Sequence, residues 1–233
     1  NRFMKEDGVE DSYEKAITYM EATAGQSLDA PGTTKERRAA YVTEGPKMID
    51  FLVENGIKLR RVGYWPDYYD DRPGGSAPGR TVIADLFDTN ELGPWRDKLE
   101  PNFMKIPAYH FEGFDIALIK SSFKGKLAMF KVGMRIVMAK LTGKRWTSSG
   151  GALQGRMMQA SLKAGVDLRV NSGVKSFIQD ASGAVKGVVI EKDGKPWRIG
   201  ARLGTLVNAG GFSHNQEMRD KYQPGTSAKW TAA

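Results

Sequence analysis

Cysteine is absent from all 233 residues. That excludes a disulfide framework, a thiolate zinc site, an iron–sulfur cluster and a cysteine nucleophile. Histidine is nearly absent, with His110 and His214 alone. Two imidazoles do not make a multi-histidine metal centre, so no metal is expected. No run approaches the roughly 18 uninterrupted apolar residues of a membrane span. There is no G-x-G-x-x-G fingerprint and no internal repeat. Acidic residues are scarce in one place. From Gly113 to Trp146, Lys120, Lys124, Lys126, Lys131, Arg135, Lys140, Lys144 and Arg145 face Asp115 alone, which places +7 of the chain's formal +8 there. The remainder is nearly neutral. What is left is an ordinary globular composition, 40% hydrophobic and 27% charged, on a chain long enough to bury a core.

Local signals divide the chain. Asp11-x-x-Glu14 resembles a capping box and opens a helix with Tyr13, Ile17 and Met20 at helical spacing; Gly25 stops it. Thr34 opens a second helical stretch, and Pro46 stands where a new turn can begin before the apolar face runs on to Gly56. An extended segment, Ile57 to Val62, follows. Residues 63–112 then hold many prolines, several aromatics and Gly74-Gly75, and periodicity vanishes. A loop this long is usually functional or disordered, and its aromatics argue against disorder.

After the basic segment, Ser148 or Ser149 caps a helix to about Ala164 that stops at Gly165. Strand-like runs come next at Val166–Val170, Val174–Ile178, Val185–Glu191 and Trp197–Ala201, with Asp193-Gly194 as a hairpin turn. Gly204 to Gly211 reads as a buried strand ending in Ala209-Gly210-Gly211, and a short helix covers Asn215 to Tyr222. Glycines at a strand end permit close backbone approach by a ligand, or simply form a tight turn.

The order of these elements, a helix, a small meander and a strand closing on glycines, is similar to the second half of the dinucleotide-binding domain in flavoproteins of the fumarate reductase and succinate dehydrogenase type. Further segments point to one branch. These are Tyr41-Val42-x-x-Gly45-Pro46-x-Met48-Ile49-x-Phe51, Pro66-Asp67-Tyr68-Tyr69 with Gly74-Gly75…Gly79-Arg80, Gly151-Ala152-Leu153, and Ala209-Gly210-Gly211-Phe212-x-x-Asn215-x-x-Met218-Arg219, then Tyr222-Gln223-Pro224 and Trp230. Together they resemble the 3-ketosteroid Δ1-dehydrogenase group.

The resemblance implies an α/β fold: part of a Rossmann-like FAD-binding domain with a helical and loop insertion. Residues 1–147 would be its helical and loop part and 148–233 its second half. Members of the group carry the nucleotide fingerprint before a point like Asn1. They carry an Asn-Thr-Gly-Asp stretch and a substrate domain after a point like Ala233. The chain is therefore expected to be an internal piece of a protein roughly twice as long. The implied cofactor is FAD, contacted by the backbone of Ala209, Gly210 and Gly211, with Val174 near the adenine. The implied chemistry removes two hydrogens from ring A of a 3-oxosteroid: a tyrosine base takes a proton from C2 and the flavin takes a hydride from C1. Tyr68 corresponds to the group's first active-site tyrosine. A free tyrosine has a pKa of about 10 and is a poor base unaided. A neighbouring hydroxyl that donates to the phenolate lowers the cost of forming it, and the resemblance gives Tyr68 that role. From the residues alone, Tyr68 and Tyr69 read as loop packing; the resemblance reverses that for Tyr68 and leaves Tyr69 as packing. His110 reads as a packed loop residue and His214 as an exposed one. Asp67 and Arg80 read as contacts of each other or of the loop backbone. A fumarate reductase-like flavoprotein acting on another α,β-unsaturated substrate and a non-catalytic basic membrane-associated module that binds no flavin are the alternatives.

In the basic segment Ile116, Ile119, Phe123, Leu127, Phe130, Met134, Val137 and Leu141 form one helical stripe. Lys120, Lys124, Lys131 and Arg135 each follow a stripe residue, about 100° around the helix. Such a segment packs on the domain with a solvated basic edge, or lies on a membrane surface, where steroids partition. It lacks the stacking aromatics and base-reading side chains of nucleic-acid binding, and no nucleic-acid partner is expected. The expected location is cytoplasmic, with peripheral contact at the inner membrane face through residues 113–146.

Overall fold

A computed structural model describes residues 1–24, 32–100 and 106–231. They divide into two units, Asn1–Leu168 and Arg169–Ala233.

In the first unit, α1 (Arg2–Glu6) precedes α2 (Tyr13–Ala24) and α3 (Lys35–Glu54). The helix predicted at Asp11 begins one residue later, because Ser12 caps it: the Lys15 N–H donates to Ser12 Oγ at 3.1 Å. Asp11 is held by Arg80 instead. Gly25, its expected stop, lies outside the described residues. Thr34 caps α3 as expected. Pro46 does not restart a helix there but sits within it. The strands β1 (Leu59–Arg61) and β2 (Val82–Ala84) form an antiparallel pair with Leu59 opposite Ala84. β3 (Phe87–Asp88) pairs antiparallel with β4 (Trp146–Thr147). A 3-10 stretch covers Thr89–Lys98. Residues 63–112 thus contain two short strands and a 3-10 helix, elements too short to show a period.

The helix α6 (Ser149–Lys163), with Ser148 at its N-cap, lies over these strands. Ala84, Phe87, Leu92 and Ala152 form the core cluster, with Leu59, Trp95, Leu99, Leu153 and Met158 around it. Ala152 is 0% exposed, so Gly151-Ala152-Leu153 is a packing motif. Arg156 caps the adjoining strand by donating to the Leu86 carbonyl at 2.6 Å.

The basic segment folds into α4 (His110–Ala117) and α5 (Phe123–Thr142), packed on each other. Gly125, Ala128 and Val132 are the buried residues of α5. The periodic stripe lies on roughly the opposite side of that helix: Phe123 is 80% and Leu141 75% exposed, with Leu127, Phe130, Met134 and Val137 exposed between them.

The second unit is a meander, β5 (Gly173–Gln179), β6 (Val185–Lys192) and β7 (Lys195–Gly200), all antiparallel, followed by α7 (Gln216–Tyr222). Asp193 and Gly194 turn the last hairpin with φ of 51° and 73°, the left-handed pair a two-residue turn requires. Asn215 caps α7 by accepting from the Met218 N–H at 3.0 Å.

Two expected strands are not formed. Val166–Val170 is unpaired, and so is the run from Gly204 to Gly211, where Leu206 is 93% exposed. An apolar run of this kind becomes a strand only beside a partner, and among the described residues none lies alongside it. Every strand pair among the described residues is antiparallel. The fold of the described residues is mixed helix and sheet.

Candidate functional site

The loop from Tyr64 to Arg80 is tied by several backbone and side-chain bonds. Its two ends touch. Gly79 has φ +77°, and a Cβ there would overlap the Trp65 carbonyl oxygen. Gly74, with φ +76°, lies on α2, and a Cβ would overlap the Lys15 carbonyl oxygen. Both positions therefore need glycine for conformation and for space.

Arg80 organises the interior. Its Nε donates to both oxygens of Asp11 at 3.1 and 3.0 Å, and Nη2 donates to Asp11 at 2.8 Å and to the Gly74 carbonyl at 2.9 Å. Nη1 donates to Asp67 Oδ2. The expected Asp67–Arg80 contact is present, with Asp11 as an unforeseen third member. Burial works against the charge of Arg80, but the two carboxylates outweigh it and raise the pKa above the ordinary arginine value. Asp67 is tied twice more: its N–H donates to the Ser76 carbonyl at 3.1 Å, and its carboxylate accepts the Ser76 N–H at 3.1 Å. The Tyr69 N–H donates to the Tyr19 hydroxyl on α2 at 3.2 Å.

Tyr68 stands between these two anchored neighbours with 86% of its surface exposed. Tyr69 is exposed as well, and neither tyrosine is loop packing.

Before Asp67, Tyr64 and Trp65 pack on α4. Phe114 meets the Tyr64 ring edge-on at 4.7 Å, and His110 meets Trp65 at 5.1 Å. His110 is thus a packed residue, as expected, at the start of a helix. Burial, with the Asp115 charge beside it, pushes the Tyr64 hydroxyl up to about 12. Tyr64 therefore stays protonated and is unsuited to act as a base. His214 is exposed just before α7.

In the second unit, Ala209, Gly210 and Gly211 are exposed. Gly210 has φ +73° with open space where a Cβ would stand. Among the described residues no backbone hydrogen bond involves Gly204 to Gly211. Their N–H and C=O groups are available to another strand or to a ligand, which such groups require when covered. Val174 lies on β5, an edge strand whose outer backbone is open, opposite Ile190. These residues fit a nucleotide contact made through main-chain groups. Tyr68 belongs to the first unit, and these four to the second.

The outer face of α5 is a separate feature. Lys124 and Lys131 follow stripe residues and Lys126 and Lys140 precede them, so lysines flank the exposed apolar face on both sides. Arg135 does not belong to this rim. It points inward and pairs with buried Glu112 at 2.7 and 2.9 Å, while also donating to the Pro107 carbonyl at 2.6 Å. No helix among the described residues is long and apolar enough to cross a membrane, and no group of three or more metal-ligating side chains occurs among them.

Comparison with known proteins adds the following. A family model described as FAD binding domain matches residues 2–233. The 3-oxosteroid 1-dehydrogenase of Mycolicibacterium smegmatis is 32% identical, with 99% of this chain and 42% of that protein aligned. That of Comamonas testosteroni is 33% identical, over 95% of this chain and 40% of that protein. The crystal structure of 3-ketosteroid delta1-dehydrogenase from Sterolibacterium denitrificans in complex with 1,4-androstadiene-3,17-dione superposes with a TM-score of 0.84. It is 27% identical over 96% of this chain and 42% of that one. The chain spans about two fifths of the length of these relatives.

Proposed function

The chain belongs to the FAD binding domain family, and on that premise we propose that it is most of the Rossmann-like FAD-binding domain of a longer flavoprotein that desaturates ring A of a 3-oxosteroid between C1 and C2. Similarity to 3-oxosteroid 1-dehydrogenases along almost the whole chain supports this reading. The observation that carries it is the Tyr68 side chain, exposed on a loop whose flanking residues are both anchored.

In this reading residues 1–147 and 148–233 are two parts of one domain. FAD, when bound, supplies the acceptor for the C1 hydride. Ala209, Gly210 and Gly211 would hold it by their backbone, with Val174 near the adenine. Tyr68 lies on the substrate side. Its hydroxyl donates a hydrogen bond to the tyrosine that removes the C2 proton, and so favours the phenolate. The remainder of the longer protein supplies that base and the donors to the 3-oxo group. The test is the full-length protein, purified and examined for bound flavin by absorbance. It should be yellow and turn over androst-4-ene-3,17-dione with an artificial electron acceptor. A colourless full-length protein that binds no FAD would point to the basic non-catalytic module instead.

The substrate class suggests where the protein sits. We propose that the outer face of α5 rests on an anionic membrane surface, apolar residues in the interface and lysines toward headgroups. The two-sided lysine rim supports that occupant. Full-length protein should co-sediment with vesicles containing anionic phosphatidylglycerol and not with neutral ones. Changing Lys124, Lys126, Lys131 and Lys140 together to glutamine should weaken binding by at least about tenfold. Unchanged sedimentation would exclude the membrane contact.

A further inference from the structure

We propose that Asp11, Tyr19 and Arg80 are positioning residues that form a clasp fixing the direction in which Tyr68 is presented. The proposal rests on the reading of Tyr68 as an active-site residue and extends it to three side chains that act through its loop.

The geometry is one of contrast. Tyr68 itself is almost fully exposed, yet the residues before and after it are each fastened to a distant part of the chain. Asp67 is fastened through Arg80 to Asp11, 69 residues from Arg80. Tyr69 is fastened to Tyr19, 50 residues away. Both tethers end at α2 or at the residue next to its cap. The Tyr19 ring also lies 5.7 Å under the Arg80 guanidinium, so the tethers touch. Arg80 sits between the two carboxylates, with its own side chain 19% exposed and those of Asp11 and Asp67 13% and 9%. Charge-assisted bonds in so sheltered a place hold geometry firmly.

A loop needs no such apparatus merely to close, since contact between Trp65 and Gly79 already does that. The clasp adds a fixed orientation relative to α2. A hydroxyl that must meet a phenolate at hydrogen-bond distance gains from that, because a displacement of about 1 Å can cost on the order of 10²-fold in rate.

The experiment uses the full-length flavoprotein with androst-4-ene-3,17-dione and an artificial acceptor. Tyr19→Phe removes one hydroxyl and keeps the ring under Arg80. Arg80→Lys keeps the charge and loses the fork that spans Asp11 and Asp67. Each is measured alone and combined with Tyr68→Phe, with flavin content recorded by absorbance. Tyr19→Phe is expected to lower kcat about tenfold, with KM and flavin content unchanged. In the Tyr68→Phe background the same change should have almost no further effect. A purely structural role would instead lower flavin content or stability and leave kcat per flavin intact.

Unchanged kcat in Tyr19→Phe beside a crippled Tyr68→Phe overturns the clasp alone. So does a loss that simply multiplies with that of Tyr68→Phe. Full turnover by Tyr68→Phe removes the reading of Tyr68, and the clasp falls with it. Should Arg80→Lys not fold, Tyr19→Phe and Asp11→Asn decide the matter by the same kcat comparison.

Discussion

Tyr68→Phe in the full-length flavoprotein should lower kcat for androst-4-ene-3,17-dione by about 10²-fold and leave KM within a few-fold. The size follows from the role. The hydroxyl donates to the phenolate that must already be formed before the C2 proton can be taken, so its loss lowers the share of enzyme carrying an active base and leaves substrate binding largely untouched. The direction of the pH effect follows as well. A hydrogen bond to the charged form lowers the pKa of the base, so its loss raises that pKa. The limb on which kcat rises with pH should therefore move to higher pH in the variant. Tyr69→Phe is the control. Its hydroxyl has no assigned role, and its backbone is what is engaged, the N–H donating to Tyr19 and the carbonyl accepting the Arg72 N–H. Steady-state kinetics across pH on both variants check this. Full turnover by Tyr68→Phe would remove the residue from the mechanism.

Glu112→Ala should destabilise the same protein by about 3 kcal/mol, because it leaves the Arg135 charge partly buried and unpaired. Glu112 is buried in α4 and accepts two bonds from Arg135 on α5, at 2.7 and 2.9 Å. It also accepts the Tyr109 N–H at 2.8 Å, capping α4. One carboxylate therefore joins two helices and closes the end of one. Burial alone would raise its pKa, but Arg135 and the Tyr109 N–H outweigh that and hold it below the ordinary 4.5. The folded protein thus binds this proton less readily than the unfolded chain. The stabilisation is complete above the ordinary value and is lost as pH falls through the lower folded value. Thermal unfolding followed by circular dichroism at neutral pH should show a melting point several degrees lower. The gap from the parent protein should narrow in acid. Glu112→Gln, which keeps the shape and an acceptor, should lose less.

Features decided within a few residues were legible in the sequence. Thr34 and Asn215 cap helix starts, and Asp193-Gly194 turns a hairpin, because capping and turn chemistry act locally. Asp11 shows the limit. A capping box describes it well, yet a guanidinium 69 residues away takes it, and Ser12 caps the helix. Nothing near Asp11 or Tyr19 announces the loop they hold.

The stripe from Phe123 to Leu141 is instructive in another way. Its spacing revealed a helix but not which face is covered. The packed face is made of Gly125, Ala128 and Val132, residues too small to dominate a hydropathy pattern. Arg135 read as part of a basic rim because its charge is visible in sequence and its partner Glu112 is not. Gly204 to Gly211 and Val166 to Val170 have strand composition, but pairing is a property of neighbours and not of a segment. For the proposed site, the place of Tyr68 came from resemblance, whereas its exposure and tethering came only from the structure.

The most direct test of the account is an anaerobic mixture of full-length protein with a stoichiometric amount of androst-4-ene-3,17-dione, followed by flavin absorbance and product mass. The account predicts a protein that carries FAD, bleaching of its absorbance on mixing, and a product two hydrogens lighter with a new double bond between C1 and C2. A flavin-bearing protein that leaves the steroid unchanged and its own absorbance unbleached would contradict it.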